Sequence, residues 1–128
     1  ETAKATAMLS NGKIISNGML MMSLDNDDKL PDISDKAAFL TKLNPYISKY
    51  PTAVASVDSF EFNSALATVP LTKIADPHAT WMLHSQPLGY KNRQVVCFAD
   101  SSCRLYSESE AAAVEAGSPV QIPDSPAP

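Results

Sequence analysis

The sequence has few of the features that mark several large classes of protein. Its 128 residues include only two cysteines and four glycines, and its formal net charge is -4. Two cysteines are too few for a disulfide-dense secreted scaffold. No apolar run approaches the roughly 18 residues that a membrane span needs. No cluster of lysine and arginine is present either, so neither nucleic acid nor an anionic membrane surface is an expected partner.

The composition that remains is typical of one small globular domain. Hydrophobic residues make up 45% of the chain and charged residues 19%. A chain of this length buries enough apolar surface for a single modest core.

Residues 2–24 are predicted to form a helix. The segment lacks proline, and Met8, Ile15, Met19 and Met22 are spaced so that they fall on one helical face. Glycine costs a helix interior about 1 kcal/mol relative to alanine, so a helix that contains glycines depends on packing for its stability.

A shorter helix is predicted over 35–44, with Ser34 as its N-cap and Pro45 closing it. After residue 51, β-favouring runs alternate with turn signals. The predicted strands are 59–62, 80–83, 95–98 and 103–106, and one or two helical turns are predicted within 107–117. The fold class expected is therefore α+β, with a long N-terminal helix packed on a small antiparallel β-sheet. The predicted divisions are the helix at 1–24, an α+β head at 25–116 and a Pro-rich tail at 117–128.

The residue types of a serine hydrolase are present, but their pattern does not favour catalysis. They are His78, His84, Asp100, Ser101 and Ser102. No serine stands in a GxSxG elbow, and a triad is recognised by geometry that spacing does not reveal. We therefore expect no enzyme activity, no catalytic residue and no cofactor.

An acidic segment gives the nearest approach to a metal site. Asp25, Asp27 and Asp28 resemble the start of a calcium loop, but an EF-hand needs glycine at the sixth position and glutamate at the twelfth. This chain has Leu30 and Lys36 there. A solvated helix end is the preferred interpretation, with the three aspartates as weak calcium candidates.

The segment QVVCFADSSCRLYSESE, residues 94–110, predicts a hairpin with one cysteine in each strand. A two-residue loop at Asp100-Ser101 places Cys97 and Cys103 on opposite faces, because side chains alternate along a strand. That register aligns Val96, Phe98, Cys103 and Leu105 as a core stripe. A three-residue loop at 99–101 brings the cysteines into closer register and permits a disulfide. We favour free, partly buried cysteines, with the disulfide as the alternative.

Four segments, in order, resemble type IV pilin-like proteins and the pseudopilins of type II secretion systems. LSNGKIISNGMLMMSLDNDDKLPD, residues 9–32, resembles the stretch that follows the membrane-embedded part of these proteins. LNPYISKY at 43–50 is similar to their "L-x-PY" element, and residues 60–83 are similar to their "Y-x-x-N-x-x-L … L-x-x-I-x-x-P-x-x-T" region. The hairpin at 94–110 resembles their closing "VNVLFADGSVRFL" segment, although Asp-Ser replaces Asp-Gly at the turn.

The resemblance implies a structural subunit of a secretion pseudopilus or of a type IV pilus-like filament. It implies a full-length form with a processed, methylated N-terminus and an apolar anchor that this chain lacks, located at the periplasmic face of the inner membrane. Implied partners are other pilin or pseudopilin subunits and the inner-membrane assembly platform. Ile15, Met19 and Met22 are expected to pack on Phe98 and Leu105 of the sheet, while Gly12 and Gly18 face neighbouring subunits.

The alternative is a secreted or periplasmic binding module, a small domain that holds a ligand on the exposed face of its sheet.

Overall fold

The computed structural model describes residues 2–74, 76–88 and 93–116, and it confirms the predicted α+β fold. The predicted Pro-rich tail at 117–128 lies outside the described residues. The helices are α1 Thr2–Leu24, α2 Lys36–Ile47, α3 Pro51–Ser56 and α4 Glu108–Ala116, with short 3-10 helices at Val57–Ser59, Ser64–Leu66 and Leu71–Lys73. The strands are β1 Phe60–Phe62, β2 Trp81–Ser85, β3 Gln94–Phe98 and β4 Cys103–Tyr106. They form one antiparallel sheet in the order β1-β2-β3-β4.

The main core lies between α1, α2 and one face of the sheet. Ile15 and Met19 of α1 are fully buried, and Met22 is nearly so. They belong to one apolar cluster with residues of α2 and of the sheet. The other members of that cluster include Phe39, Leu43, Ile47, Phe60, Leu66, Leu83, Val95 and Cys97. Burial of this apolar surface holds α1 in place despite its glycines.

The second helix differs from its prediction at both ends. Its N-cap is Asp35 rather than Ser34, since the Asp35 carboxylate accepts a hydrogen bond from the Ala38 N–H at 3.3 Å. Pro45 lies inside the helix, which continues to Ile47. A proline in the last turn is tolerated here because burial of Ile47 compensates for the hydrogen bond that the ring removes.

The predicted pairing of the sheet with α1 is wrong for β3. Leu105 of β4 does pack against the α1 side, but Phe98 does not: it joins Val96 in a second cluster on the other face. Val95 and Cys97 are the β3 residues that face α1. The error is a register shift of one residue, which turns every side chain of a strand to the opposite face.

The hairpin has the three-residue loop 99–101, not the two-residue loop. The Phe98 N–H donates to the Ser102 carbonyl and the Ser101 N–H donates to the Phe98 carbonyl, both at 2.8 Å. Cys97 therefore lies directly opposite Cys103, with their Cα atoms 4.0 Å apart, and the two form a disulfide. The prediction that these cysteines are free is wrong.

The outer face of the sheet is partly covered by α4. Ala111 of this helix is fully buried against Val96 and Phe98, and Val114 packs beside it. Ser107 and Glu110 form a capping box at its start: the Ser107 N–H donates to the Glu110 carboxylate at 2.9 Å, and the Glu110 N–H donates to the Ser107 hydroxyl at 3.2 Å. The sheet thus has a helix on both sides.

Within the described part of the chain, each helix is either too short or too polar to cross a lipid bilayer.

Candidate functional site

An apolar groove runs along the side of α1 that faces away from the sheet. It encloses about 400 Å³ between α1 and the region of α2 and α3. Its lining residues are Ile14, Asn17, Gly18, Leu20, Met21, Leu24, Tyr46 and Tyr50. We call this surface the α1 groove.

Exposed apolar side chains of the described residues are concentrated at the α1 groove. Met21 is 51% exposed, Leu24 67% and Tyr50 44%, and all three line the groove. Single exposed apolar residues are common on protein surfaces, but three at one concave site mark a candidate interaction surface. On α1, Ile14, Met21 and Leu24 recur at helical spacing, which gives the helix a second apolar stripe besides the one on the core, interrupted only by Asn17.

Gly18 forms the floor of the groove and packs against α2. A Cβ at this position would lie 2.8 Å from Ile47 Cγ2 and 3.2 Å from Leu43 Cδ1, so glycine is what allows α2 to approach α1 closely. Gly12 is also buried within the chain, where it lies against the sheet. The prediction that Gly12 sits against another subunit is therefore wrong, whereas for Gly18, which lines the groove, it stays a prediction.

The edge of the groove is fixed by a hydrogen bond between two elements. The Tyr46 hydroxyl of α2 donates to the Asp25 carboxylate, just after the end of α1, at 2.6 Å. This bond to Asp25 raises the pKa of Tyr46 above its ordinary value of 10.0. The tyrosine ring is thereby held at a fixed position in the groove wall.

The structure joins some of the residues considered for a hydrolase, but not in the geometry of a triad. Asp100 accepts from the Ser102 hydroxyl at 2.6 Å and lies 3.2 Å from His78 Nδ1. In a triad the serine hydroxyl bonds to the histidine, which then removes its proton. Here the serine and the histidine both bond to the aspartate, and the nitrogen of His78 away from Asp100 lies 3.5 Å from Arg104. The arrangement stabilises a turn.

The electrostatics of Asp100 agree with that structural role. Burial acts to raise the pKa of Asp100, but the hydroxyl and backbone N–H of Ser102, together with His78, outweigh it and hold the pKa below its ordinary 3.8. Ser101 lies in the same turn with a φ of 70° and is buried.

His84 lies elsewhere, on the outer face of the sheet. Its Nδ1 is 2.8 Å from the Glu115 carboxylate of α4, and its ring stacks on Trp81 with centroids 4.8 Å apart. Both members of the pair are about one-fifth exposed. The contact therefore attaches the last turn of α4 to the sheet, a role that sequence spacing did not indicate.

The three weak calcium candidates do not converge. Asp25 is hydrogen-bonded to Tyr46, while Asp27 and Asp28 adopt left-handed backbone conformations with φ of 56° and 61°. The Asp28 carbonyl accepts from the Leu71 N–H at 2.7 Å, which fixes the segment to the rest of the head. Within residues 2–74, 76–88 and 93–116, no three histidine, cysteine or acidic side chains are placed to bind one metal ion.

A second, more polar cleft of about 580 Å³ lies beside this acidic segment. Its polar lining includes Asp25, Asp32, Asp35 and Lys42. The hydroxyl and N–H of Ser34 lower the pKa of Asp32, so that carboxylate is already engaged by its own turn. Carboxylates of the described cleft residues are hydrogen-bonded to neighbouring groups of the chain, and their arrangement does not indicate a particular ligand.

Comparison with known proteins adds no relative: no protein-family model, no curated protein and no solved structure matches the chain.

Proposed function

We propose that this chain is the head of a type IV pilin-like or pseudopilin subunit, a non-enzymatic component of a filament in the cell envelope. Neighbouring copies contact it along α1, and α1 connects the head to the rest of the assembled structure. The sequence resemblance of residues 8–112 motivates the proposal. A subunit of this kind requires a helix with two apolar sides, one for its own core and one for neighbouring copies.

The single observation that supports this function best is the α1 groove. One apolar stripe of α1 is buried in the core, where it includes Ile15 and Met19. Met21 and Leu24 remain exposed on another side of the helix. Exposed leucine and methionine at a concave surface are unfavourable in water and become favourable when a partner covers them. A subunit that packs laterally on its own copies needs such a surface.

The disulfide gives independent support for the proposed location. Disulfides persist in oxidising compartments such as the periplasm and the cell exterior and are rare in the cytosol. The Cys97–Cys103 bond agrees with a head domain that faces the periplasm.

The rival function, a free binding module, has less support from the fold. It needs an open sheet face for its ligand, and α4 occupies part of that face through Ala111 and Val114.

The test uses the full-length gene product in its own cells, with Met21→Lys and Leu24→Lys combined in one variant. We expect the variant to accumulate as a folded protein and to be absent from sheared and purified filaments, because two buried charges at the interface oppose assembly. The matched control is Ala113→Lys, an exposed position of α4 on the other side of the sheet. Equal incorporation of the groove variant and the control would contradict the proposal.

A further inference from the structure

The disulfide lies directly beneath α1, where the helix carries two small residues one turn apart, Gly12 and Ser16. A Cβ on Gly12 would lie 2.8 Å from Cys97 Sγ, and Ser16 Oγ is 3.9 Å from Cys103 Sγ. Gly12 and Ser16 are separated by four residues, so they share one face of the helix. Each sulfur thus has its own small residue of α1 above it.

The space between Cys97 and α1 is occupied, whereas Cys103 is partly exposed. Cys97, Gly12 and Ser16 are all buried, and Val95 and Phe60 also lie within 3.5 Å of the Gly12 Cβ position. The Ser16 hydroxyl donates to the Gly12 carbonyl at 2.8 Å, which holds that side chain in place beside Cys103 Sγ. Protein interiors are packed so closely that even small changes of volume are felt by their neighbours.

We propose that this contact is a redox-sensitive latch, in which the disulfide permits the N-terminal half of α1 to dock on the sheet and the reduced thiols displace it. Reduction by a dithiol breaks the S–S bond, adds one hydrogen to each sulfur and converts the reductant into a cyclic disulfide. Two thiols on directly opposed residues then replace a bonded pair by a non-bonded contact, and they require more room. The sulfurs point at α1, where Gly12 has no side chain that can move aside.

The latch acts on one part of the helix only. Gly18 and the residues after it are held against α2 by Leu43 and Ile47, far from the sulfurs. The inference concerns the head alone and does not depend on the proposed filament function.

The experiment compares amide hydrogen exchange of the oxidised chain with that of chain refolded in dithiothreitol, whose thiol state is checked by intact mass. We expect exchange of the α1 amides around Gly12 and Ser16 to accelerate about tenfold or more on reduction, since overpacking of a core opens it locally. Exchange of the α1 amides after Gly18 stays close to that of the oxidised protein.

The double variant Cys97→Ala, Cys103→Ala separates crowding from loss of the cross-link. It lacks the covalent bond but also lacks both sulfurs, so we expect its α1 amides to remain protected, with or without dithiothreitol. Three results would overturn the latch: no change in α1 exchange on reduction, a uniform loss of protection throughout the chain, or a loss in the double variant as large as that in the reduced protein.

Discussion

At the scale of the residue, Ser101 in the hairpin turn has a backbone conformation that glycine adopts more easily than serine. Ser101 closes the three-residue loop with a φ of 70°, a conformation that costs a side-chain-bearing residue about 1–2 kcal/mol. We expect Ser101→Gly to stabilise the chain by about 0.5–1 kcal/mol, because glycine adopts positive φ without strain but loses more freedom on folding. Thermal unfolding measures this, with Ser48→Gly as the control, because Ser48 lies outside the turn and has a φ of -61°. A lower midpoint for Ser101→Gly would refute the account of the turn.

The identity of Gly12 is fixed by its surroundings. Gly12→Ala improves helix propensity by about 1 kcal/mol but places a methyl group against Cys97 Sγ, which its bond to Cys103 prevents from moving. We expect a net loss of about 1–2 kcal/mol in the free energy of unfolding, since overpacking typically costs about 1–3 kcal/mol. Denaturant unfolding reports it. The control Ser10→Ala, at an exposed position of the same helix, should be neutral or slightly stabilising.

The sequence did not determine the length of the hairpin loop. A two-residue and a three-residue loop were both compatible with the cysteine spacing, and only the three-residue loop places the two cysteines opposite each other. Val95 to Phe98 are apolar on both faces, because α1 covers one face and α4 the other, so alternation gave no signal for the register.

At the scale of the element, α4 begins with a capping box whose strength depends on pH. Bonds from the N–H and hydroxyl of Ser107 lower the pKa of Glu110 below its ordinary 4.5. A carboxylate whose pKa is depressed by folding stabilises the fold above the unfolded pKa, and this contribution is lost as the pH falls through the folded value. The box should therefore support α4 at neutral pH and fail under acid conditions below pH 4.5.

This prediction is tested by Glu110→Ala, with Glu108→Ala as the matched control. Both variants remove one negative charge from the first turn, but only Glu110→Ala removes the side-chain acceptor of the capping box. We expect faster hydrogen exchange in α4 for Glu110→Ala near neutral pH, and a smaller difference from the wild type in acid. Equal effects of the two variants would show that helix-dipole electrostatics, not the box, stabilises the start of α4.

Elements were predictable to the extent that their periodicity was strong. The apolar spacing of α1 identified 2–24, and the four β-favouring runs each became a strand with ends shifted by at most two residues. Helix α3 was missed because it is only six residues long and begins at a proline, which also serves as a turn signal. Pro45 was predicted to end α2 because proline is also a turn signal.

At the scale of the whole molecule, α1 is the element on which the sheet, α2 and the disulfide all pack. Its core stripe contacts the sheet, and the absence of a side chain at Gly18 and at Gly12 allows close approach of α2 and of the disulfide. The α1 groove remains on another side of the same helix, with Leu24 as its most exposed apolar residue. Fold class followed from the order of elements, whereas the groove could not be predicted, since it depends on how α2 and α3 return to α1.

Assembly of copies through α1 is tested by site-specific photocross-linking in living cells. A photoreactive amino acid is placed at Leu24 of the full-length protein, and in a control at Ala113 on α4. If copies assemble through α1, Leu24 gives adducts that contain two or more copies of this protein, and Ala113 gives none. Absence of such adducts at Leu24 while the protein is folded and present in the envelope would contradict assembly through α1.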